Sequence, residues 1–284
     1  MKKLFWLIIC TVGMMSVLLF AESYSSKTRE HEIQFFVNKT TVVKPWKDKE
    51  TDITYVFFPS FAELNNTTVR VPEGSEITLD GKKLEGGMDC GEYDWNKEYS
   101  LKMDGSSPET LVFLHSDNLS TMCITTVNEE GLALVHGDKE HKEYVDITMY
   151  SVTGDIIYQG DSADKIRGHG NSTWRSDKKP YNLYLEKPSI LTGSKASDKW
   201  ILLSNPSDAT NLRNKMIFDF AKKMGRYSWF SPENEYVDLY INGEYFGLYL
   251  LCEHIERTAA KLFDVDSNDD NNEFYIIIRT KMGS

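Results

Sequence analysis

The sequence predicts an α+β protein in two parts: an N-terminal all-β sandwich, immunoglobulin-like, over residues 31–127, and a mixed α+β region over residues 132–284. Three observations support this prediction. Short β-type runs separated by turn residues fill the first part, strands with one amphipathic helix fill the second, and a polar segment with glycine at 128–131 lies between them. A length of 284 residues suits one to two domains.

The first residues have the pattern of a secretion signal. Lys2 and Lys3 precede an apolar stretch over residues 4–20, and Ala21 is a small residue suited to cleavage. We expect residues 1–21 to be a signal peptide and the protein to be secreted or on the cell surface. A retained membrane anchor is the alternative, because the stretch approaches the ~20 residues that a spanning helix needs.

The charge and the cysteines restrict the function further. The formal net charge of −11 argues against a general nucleic-acid binder. Cys90, Cys123 and Cys252 remain after signal cleavage, and their odd number and irregular spacing match neither a disulfide framework nor a zinc site. Cys90 and Cys123 are candidates for a disulfide, whereas Cys252 lies in an apolar strand and should be a buried thiol.

The predicted strands of the sandwich follow from runs rich in β-branched and aromatic residues. Turn residues such as those at 72–74, 80–81, 86–87 and 104–105 separate them. The runs cover residues 33–37, 53–58, 67–71, 76–79, 110–115 and 122–126.

The second part should contain more strands and one helix. Alternation predicts strands at 144–152, 155–159, 163–167, 181–186 and 199–203, and Asn242-Gly243 predicts a hairpin joining strands 236–241 and 245–252. Apolar residues four apart predict an amphipathic helix over 209–224, ended by Gly225. A short helix at 254–263 and a last strand at 274–279 are expected to follow.

A glycine-rich polar turn begins at residue 166 and is the strongest candidate site. Gly168 and Gly170 let the backbone bend closely around a ligand, and Arg167 and Lys179 supply positive charge. Ser172, with its neighbours Asn171 and Thr173, adds small polar groups. These are the groups needed to hold phosphate.

Four blocks of this part resemble the CotH (spore coat protein H) family of atypical, protein-kinase-like proteins. The blocks lie at residues 166–184, 200–205, 212–214 and 237–253. The resemblance implies the ATP-holding part of a kinase-like lobe, with ATP and Mg²⁺ as cofactors and a bacterial coat or cell-surface protein as substrate. In that family the catalytic and metal-binding aspartates come later in the chain, so we interpret this sequence as truncated before them and assign no metal ligand.

The resemblance also assigns roles to residues of this sequence. Lys179, or alternatively Lys178, should hold the phosphates and lie within salt-bridge reach of an acid such as Asp219. Arg213 opens the predicted helix and is a candidate for binding phosphate or an internal carboxylate. Glu253 is expected either to line the adenine edge of the cleft or to cap the helix that follows.

The sequence therefore predicts a CotH-like kinase fragment with an ATP site and no nucleic-acid partner. After signal cleavage we expect no contact with a membrane. The alternative is a non-catalytic secreted module for surface or coat assembly, or for glycan binding. The oligomeric state is left open.

Overall fold

The computed structural model describes residues 32–224 and 231–254, which consist mostly of β-strands arranged in three sheets. Two α-helices occur in these residues, so the predicted α+β class is corrected to a mostly β architecture. Helix α1 (Gly131–Gly137) and helix α2 (Leu212–Met224) lie in the second half of the chain. The strands are β1 (Gln34–Val37), β2 (Thr41–Val43), β3 (Trp46–Lys47), β4 (Ile53–Phe58), β5 (Thr67–Arg70), β6 (Ile77–Leu79), β7 (Lys82–Lys83), β8 (Glu98–Met103), β9 (Glu109–His115), β10 (Ser120–Thr126), β11 (Glu143–Tyr150), β12 (Ile156–Gln159), β13 (Asp164–Gly168), β14 (Tyr181–Ser189), β15 (Ser197–Leu203), β16 (Asn234–Ile241) and β17 (Glu244–Glu253).

Two sheets form the N-terminal part. One has the order β2-β1-β5, and the other has the order β3-β4-β9-β8-β6-β7. Alternate residues of their strands point into one shared core, in which Phe35, Phe58 and Phe113 are fully buried and contact one another. Each of the six β-type runs predicted up to residue 126 contains an observed strand. The short edge strands β2, β3 and β7, and strand β8, were not predicted.

The third sheet closes into a barrel. Its order is β10-β16-β17-β15-β14-β13-β11-β12, and β10 also pairs with β11, which joins the two ends into a ring of seven strands with β12 beside it. The neighbouring strands are antiparallel except for the parallel pair β10–β16. Ile147, Ile166, Leu183 and Trp200 are fully buried inside the ring.

Strand β10 was assigned to the N-terminal sandwich, and this assignment is wrong. Ile124 lies opposite Ile147 of β11, so the barrel sheet continues across residue 130. The alternating pattern of β10 correctly identified a strand, but alternation carries no information on the partner strand. The division of the chain into two domains stays a prediction.

The β16–β17 hairpin also packs against the N-terminal sheets. Tyr240 is buried in the N-terminal core and its hydroxyl donates to the carbonyl of Phe57 at 3.0 Å. Asp238 accepts hydrogen bonds from the hydroxyls of Ser116 and Tyr245, and burial raises the pKa of this carboxyl group. Polar and aromatic contacts thus join the barrel to the N-terminal part.

The three described cysteines are free thiols. The candidate disulfide between Cys90 and Cys123 is therefore not formed, whereas the prediction that Cys252 is buried is confirmed. Burial raises the pKa of each thiol to about 12.

Several predictions lie outside the described residues. They are the signal peptide at 1–21, the helix end at Gly225, most of the predicted helix at 254–263 and the last strand at 274–279. Among the residues that the structure does describe, no helix has the length and apolar character needed to cross a membrane.

Candidate functional site

A cleft lies where the glycine turn, the end of β15 and the start of α2 meet. It consists of two adjoining cavities of about 230 and 600 Å³ that share Ser204, Asn205, Pro206 and Asp208. Residues from 173–178 line one side, which we call the turn wall, and residues from 204–214 line the other, which we call the helix wall.

The two glycines of the turn are required by its shape. Gly168 ends β13, and a Cβ atom there would lie 2.7 Å from Cγ of Lys139 and 2.8 Å from the ring of Trp174. Gly170 has a φ of +72°, a region that favours glycine. A Cβ atom at Gly170 would also collide with the hydroxyl of Thr173, which lines the cleft. The turn therefore depends on glycine at both positions.

The two lysines after the turn bind backbone carbonyls instead of an acid. The Lys178 ammonium donates to the carbonyl of Leu248 at 2.6 Å, and the Lys179 ammonium donates to the carbonyl of Trp174 at 3.0 Å. Neither lysine forms a salt bridge with a described carboxylate, so the predicted ion pair with Asp219 is wrong. Lys178 lines the larger cavity, and burial lowers its pKa. Of the two, Lys178 is thus the lysine at the cleft.

The helix wall is organised by Asp208. Its carboxylate accepts the backbone N–H of Arg213 at 2.8 Å and the hydroxyl of Thr210 at 2.7 Å, and both contacts lower the pKa of Asp208. The Arg213 side chain lines the smaller cavity and is 77% exposed, with its Nε 3.7 Å from Asp208. Asn214 donates to the side chain of Asn205 at 2.7 Å. The start of α2 is therefore fixed, while most of the Arg213 guanidinium is open to solvent.

Of the nine predicted site residues, Lys178 and Arg213 line the two cavities, and three of the others lie well away from them. Arg167 donates to Glu140 at 2.7 Å, because its strand position directs it to the segment that follows α1. Asp219 pairs with Lys215 one helical turn before it, at 3.2 Å. Glu253 is buried at the far end of β17, opposite Trp200, whereas the cleft lies beyond the other end of this strand pairing, near Leu203.

Ser172 precedes a short 3₁₀ turn at Thr173–Arg175, and its side chain makes no capping hydrogen bond. The structure thus brings together the region of Gly170, Lys178 and Arg213. It does not bring Arg167, Asp219 or Glu253 to the same cavities.

Two residues of this region were missed from the sequence. Arg175 lines the larger cavity, and Ser204 lines both cavities with a buried hydroxyl. Ser204 lies in the block at residues 200–205 that resembles the CotH family, but its burial beside the cavities leaves no signal in the sequence.

A magnesium site is not supported by the residues that surround the cleft. Within 32–224 and 231–254, no group of three or more His, Cys, Asp or Glu side chains is placed to hold a metal ion. Mg²⁺ prefers a near-octahedral set of oxygen ligands, including carboxylates. The described residues do not fit that ion.

The comparison with known protein families agrees with the motifs of the glycine turn. The family model described as CotH kinase protein matches residues 166–280. This match begins in β13 and includes the glycine turn, both walls of the cleft and the β16–β17 hairpin. The resemblance to the CotH family is confirmed for this segment. None of the curated proteins matches the chain.

Proposed function

We propose that this protein is a CotH-like atypical protein kinase that binds ATP in the cleft between the turn wall and the helix wall. The observation that carries the proposal is the position of the cleft within the CotH segment, at the glycine turn. Three cationic side chains line it, those of Arg175, Lys178 and Arg213. Positive charge at a glycine-bearing turn suits a triphosphate.

The order of elements supports the same proposal. A glycine turn joins β13 to β14, and α2 is the next element after β15. Lys199 of β15 lies beside Trp200, at the end of that strand away from the cleft. Protein kinases place a glycine-rich loop over the phosphates, a lysine on the third strand and an acidic residue on the helix after it. In this chain the α2 acid, Asp219, pairs with Lys215 of the same helix. The correspondence therefore holds for the order of elements and differs in the ion pair.

The proposed reaction is transfer of the γ-phosphoryl group of ATP to Ser or Thr of a bacterial coat or cell-surface protein. The resemblance supports this reaction and the requirement for Mg²⁺. The signal-like residues 1–21 support a secreted or cell-surface location, and the net charge of −11 supports a partner other than nucleic acid. In the cleft, the role of the cationic side chains is to bind and orient the phosphates.

Isothermal titration of the purified chain with ATP tests the proposal. We expect Arg213→Met to weaken ATP binding about tenfold, because a hydrogen bond to a charged group contributes roughly 1.5–3 kcal/mol. Arg70→Met is the matched control, since Arg70 is an exposed arginine on β5, outside both cavities.

Absence of ATP binding by the wild-type chain would contradict the proposal, and so would equal affinity of the two variants. Transfer of labelled γ-phosphate to an added Ser- and Thr-containing protein then tests the catalytic step. Binding without transfer would favour the non-catalytic module.

A further inference from the structure

Ser204 has an unusual environment at the centre of the cleft. The residue is 2% exposed, and its Oγ atom is buried with no hydrogen-bond partner among the described residues. Ser204 nevertheless lines both cavities. A buried hydroxyl without a partner is unfavourable, so this hydroxyl is a candidate to bind a group that is absent from the protein itself.

The surroundings of Ser204 favour an anionic group. The 13-residue helix α2 begins beside it, and the positive dipole end of a helix attracts negative charge. Asp208 and Thr210 already accept the backbone N–H groups of Arg213 and Leu212, so the dipole and the nearby side chains provide this attraction. The cavities are lined by three cationic side chains, Arg175, Lys178 and Arg213, against two carboxylates.

The carboxylates of Asp208 and Asp177 only partly offset the attraction of the cavities for an anion. The Asp208 oxygens already accept hydrogen bonds from Thr210 and from the backbone of Arg213, and Nε of Arg213 lies 3.7 Å away. Asp177 is an exposed residue at the edge of the larger cavity. An anion next to Ser204 therefore faces an excess of positive charge.

We propose that Ser204 recognises a phosphoryl group, its Oγ–H donating a hydrogen bond to a phosphoryl oxygen while Arg213 supplies the balancing charge. This inference rests on the proposed function and makes it more specific, since it locates the phosphates of ATP at the α2 end of the cleft. Adenosine has no phosphoryl group and therefore cannot form this hydrogen bond.

Titration of the full chain with ATP, with inorganic tripolyphosphate and with adenosine tests the inference. For Ser204→Ala we expect affinities for ATP and tripolyphosphate about tenfold lower, the size of one lost hydrogen bond to a charged group. The affinity for adenosine should change less than twofold. Ser204→Thr retains a hydroxyl and should retain most of the affinity for tripolyphosphate, and Ser100→Ala, at an exposed serine on β8, is the control.

The melting temperature without ligand separates recognition from a structural role. Because the Ser204 hydroxyl has no partner in the described residues, Ser204→Ala should melt at the same temperature as the wild type or higher. A lower melting temperature, unchanged affinity for tripolyphosphate, or an equal loss for adenosine would overturn the inference. Unchanged affinity would mean that the hydroxyl binds solvent only.

Failure of the inference and failure of the proposed function give different results. A wild-type chain that binds tripolyphosphate with a contribution from Ser204, but does not bind ATP, contradicts the proposed function alone. A chain that binds ATP equally well with Ser204→Ala contradicts the inference alone.

Discussion

The two walls of the cleft differ in how they are attached to the barrel. On the turn wall, Lys178 reaches across to the carbonyl of Leu248 on β17, and Lys179 ties the turn to itself through the carbonyl of Trp174. On the helix wall, Asp208 fixes the first turn of α2, but the helix has no buried residue. The turn is thus built into the barrel, whereas α2 buries no side chain of its own.

The body of α2 presents its apolar residues to solvent. Met216, Ile217 and Phe220 are each more than 60% exposed. The half-buried residues of the helix body are Lys215, Phe218, Asp219 and Ala221. Polar contacts join the helix body to the start of β16 and the residues before it. Lys215 donates to the carbonyl of Asn234, the Ser231 hydroxyl donates to the carbonyl of Phe218, and Lys222 pairs with Glu233. Polar contacts rather than apolar packing therefore position the helix wall.

This comparison predicts that the apolar residues of α2 contribute little to folding, in contrast with those of the core. The largest effect is expected for Phe113→Ala, at a fully buried ring, which should lower the free energy of unfolding by about 3–5 kcal/mol. Phe220→Ala, at a ring that is 63% exposed, should change it by less than about 0.5 kcal/mol. Urea unfolding of both variants measures the difference. A large destabilisation by Phe220→Ala would show that this face of α2 is covered.

A side chain added at Gly170 should destabilise the turn wall. Gly170→Val places a branched residue at a φ of +72° and against Thr173, so we expect a loss of about 2 kcal/mol in the free energy of unfolding, together with weaker ATP binding. Gly86→Val is the matched control, because a Cβ atom at Gly86 meets nothing within 4 Å and its φ is not positive. Equal stability of the two variants would mean that the turn is not preformed.

Local patterns predicted most of the longer strands and helix α2, but missed helix α1 and strands β2, β3, β7 and β8. The helix predicted over 209–224 is α2, and Asn242-Gly243 does join β16 to β17. These features depend on residues close together in the chain, and the spacing of apolar residues and the turn type report on them directly.

The partners of each strand and the directions of the lysine side chains could not be predicted from such local patterns. The position of β10 in the barrel depends on β11 and β16, and β16 lies more than a hundred residues away. Lys179, or alternatively Lys178, was expected to pair with an acid. The two ammonium groups instead donate to the carbonyls of Trp174 and Leu248, and a backbone acceptor cannot be identified from the sequence. The role of Ser204 likewise depends on the cavity around it.

The location of bound ATP tests the central claim most directly. Amide chemical shifts of the isotopically labelled full chain, followed during ATP titration, report which segments contact the nucleotide. We predict the largest shifts in residues 173–178 and 204–214, and none above background in strands β3, β4 and β7 of the N-terminal sheet. Saturable shifts confined to other segments, with both walls of the cleft unaffected, would contradict the assignment of the cleft as the nucleotide site.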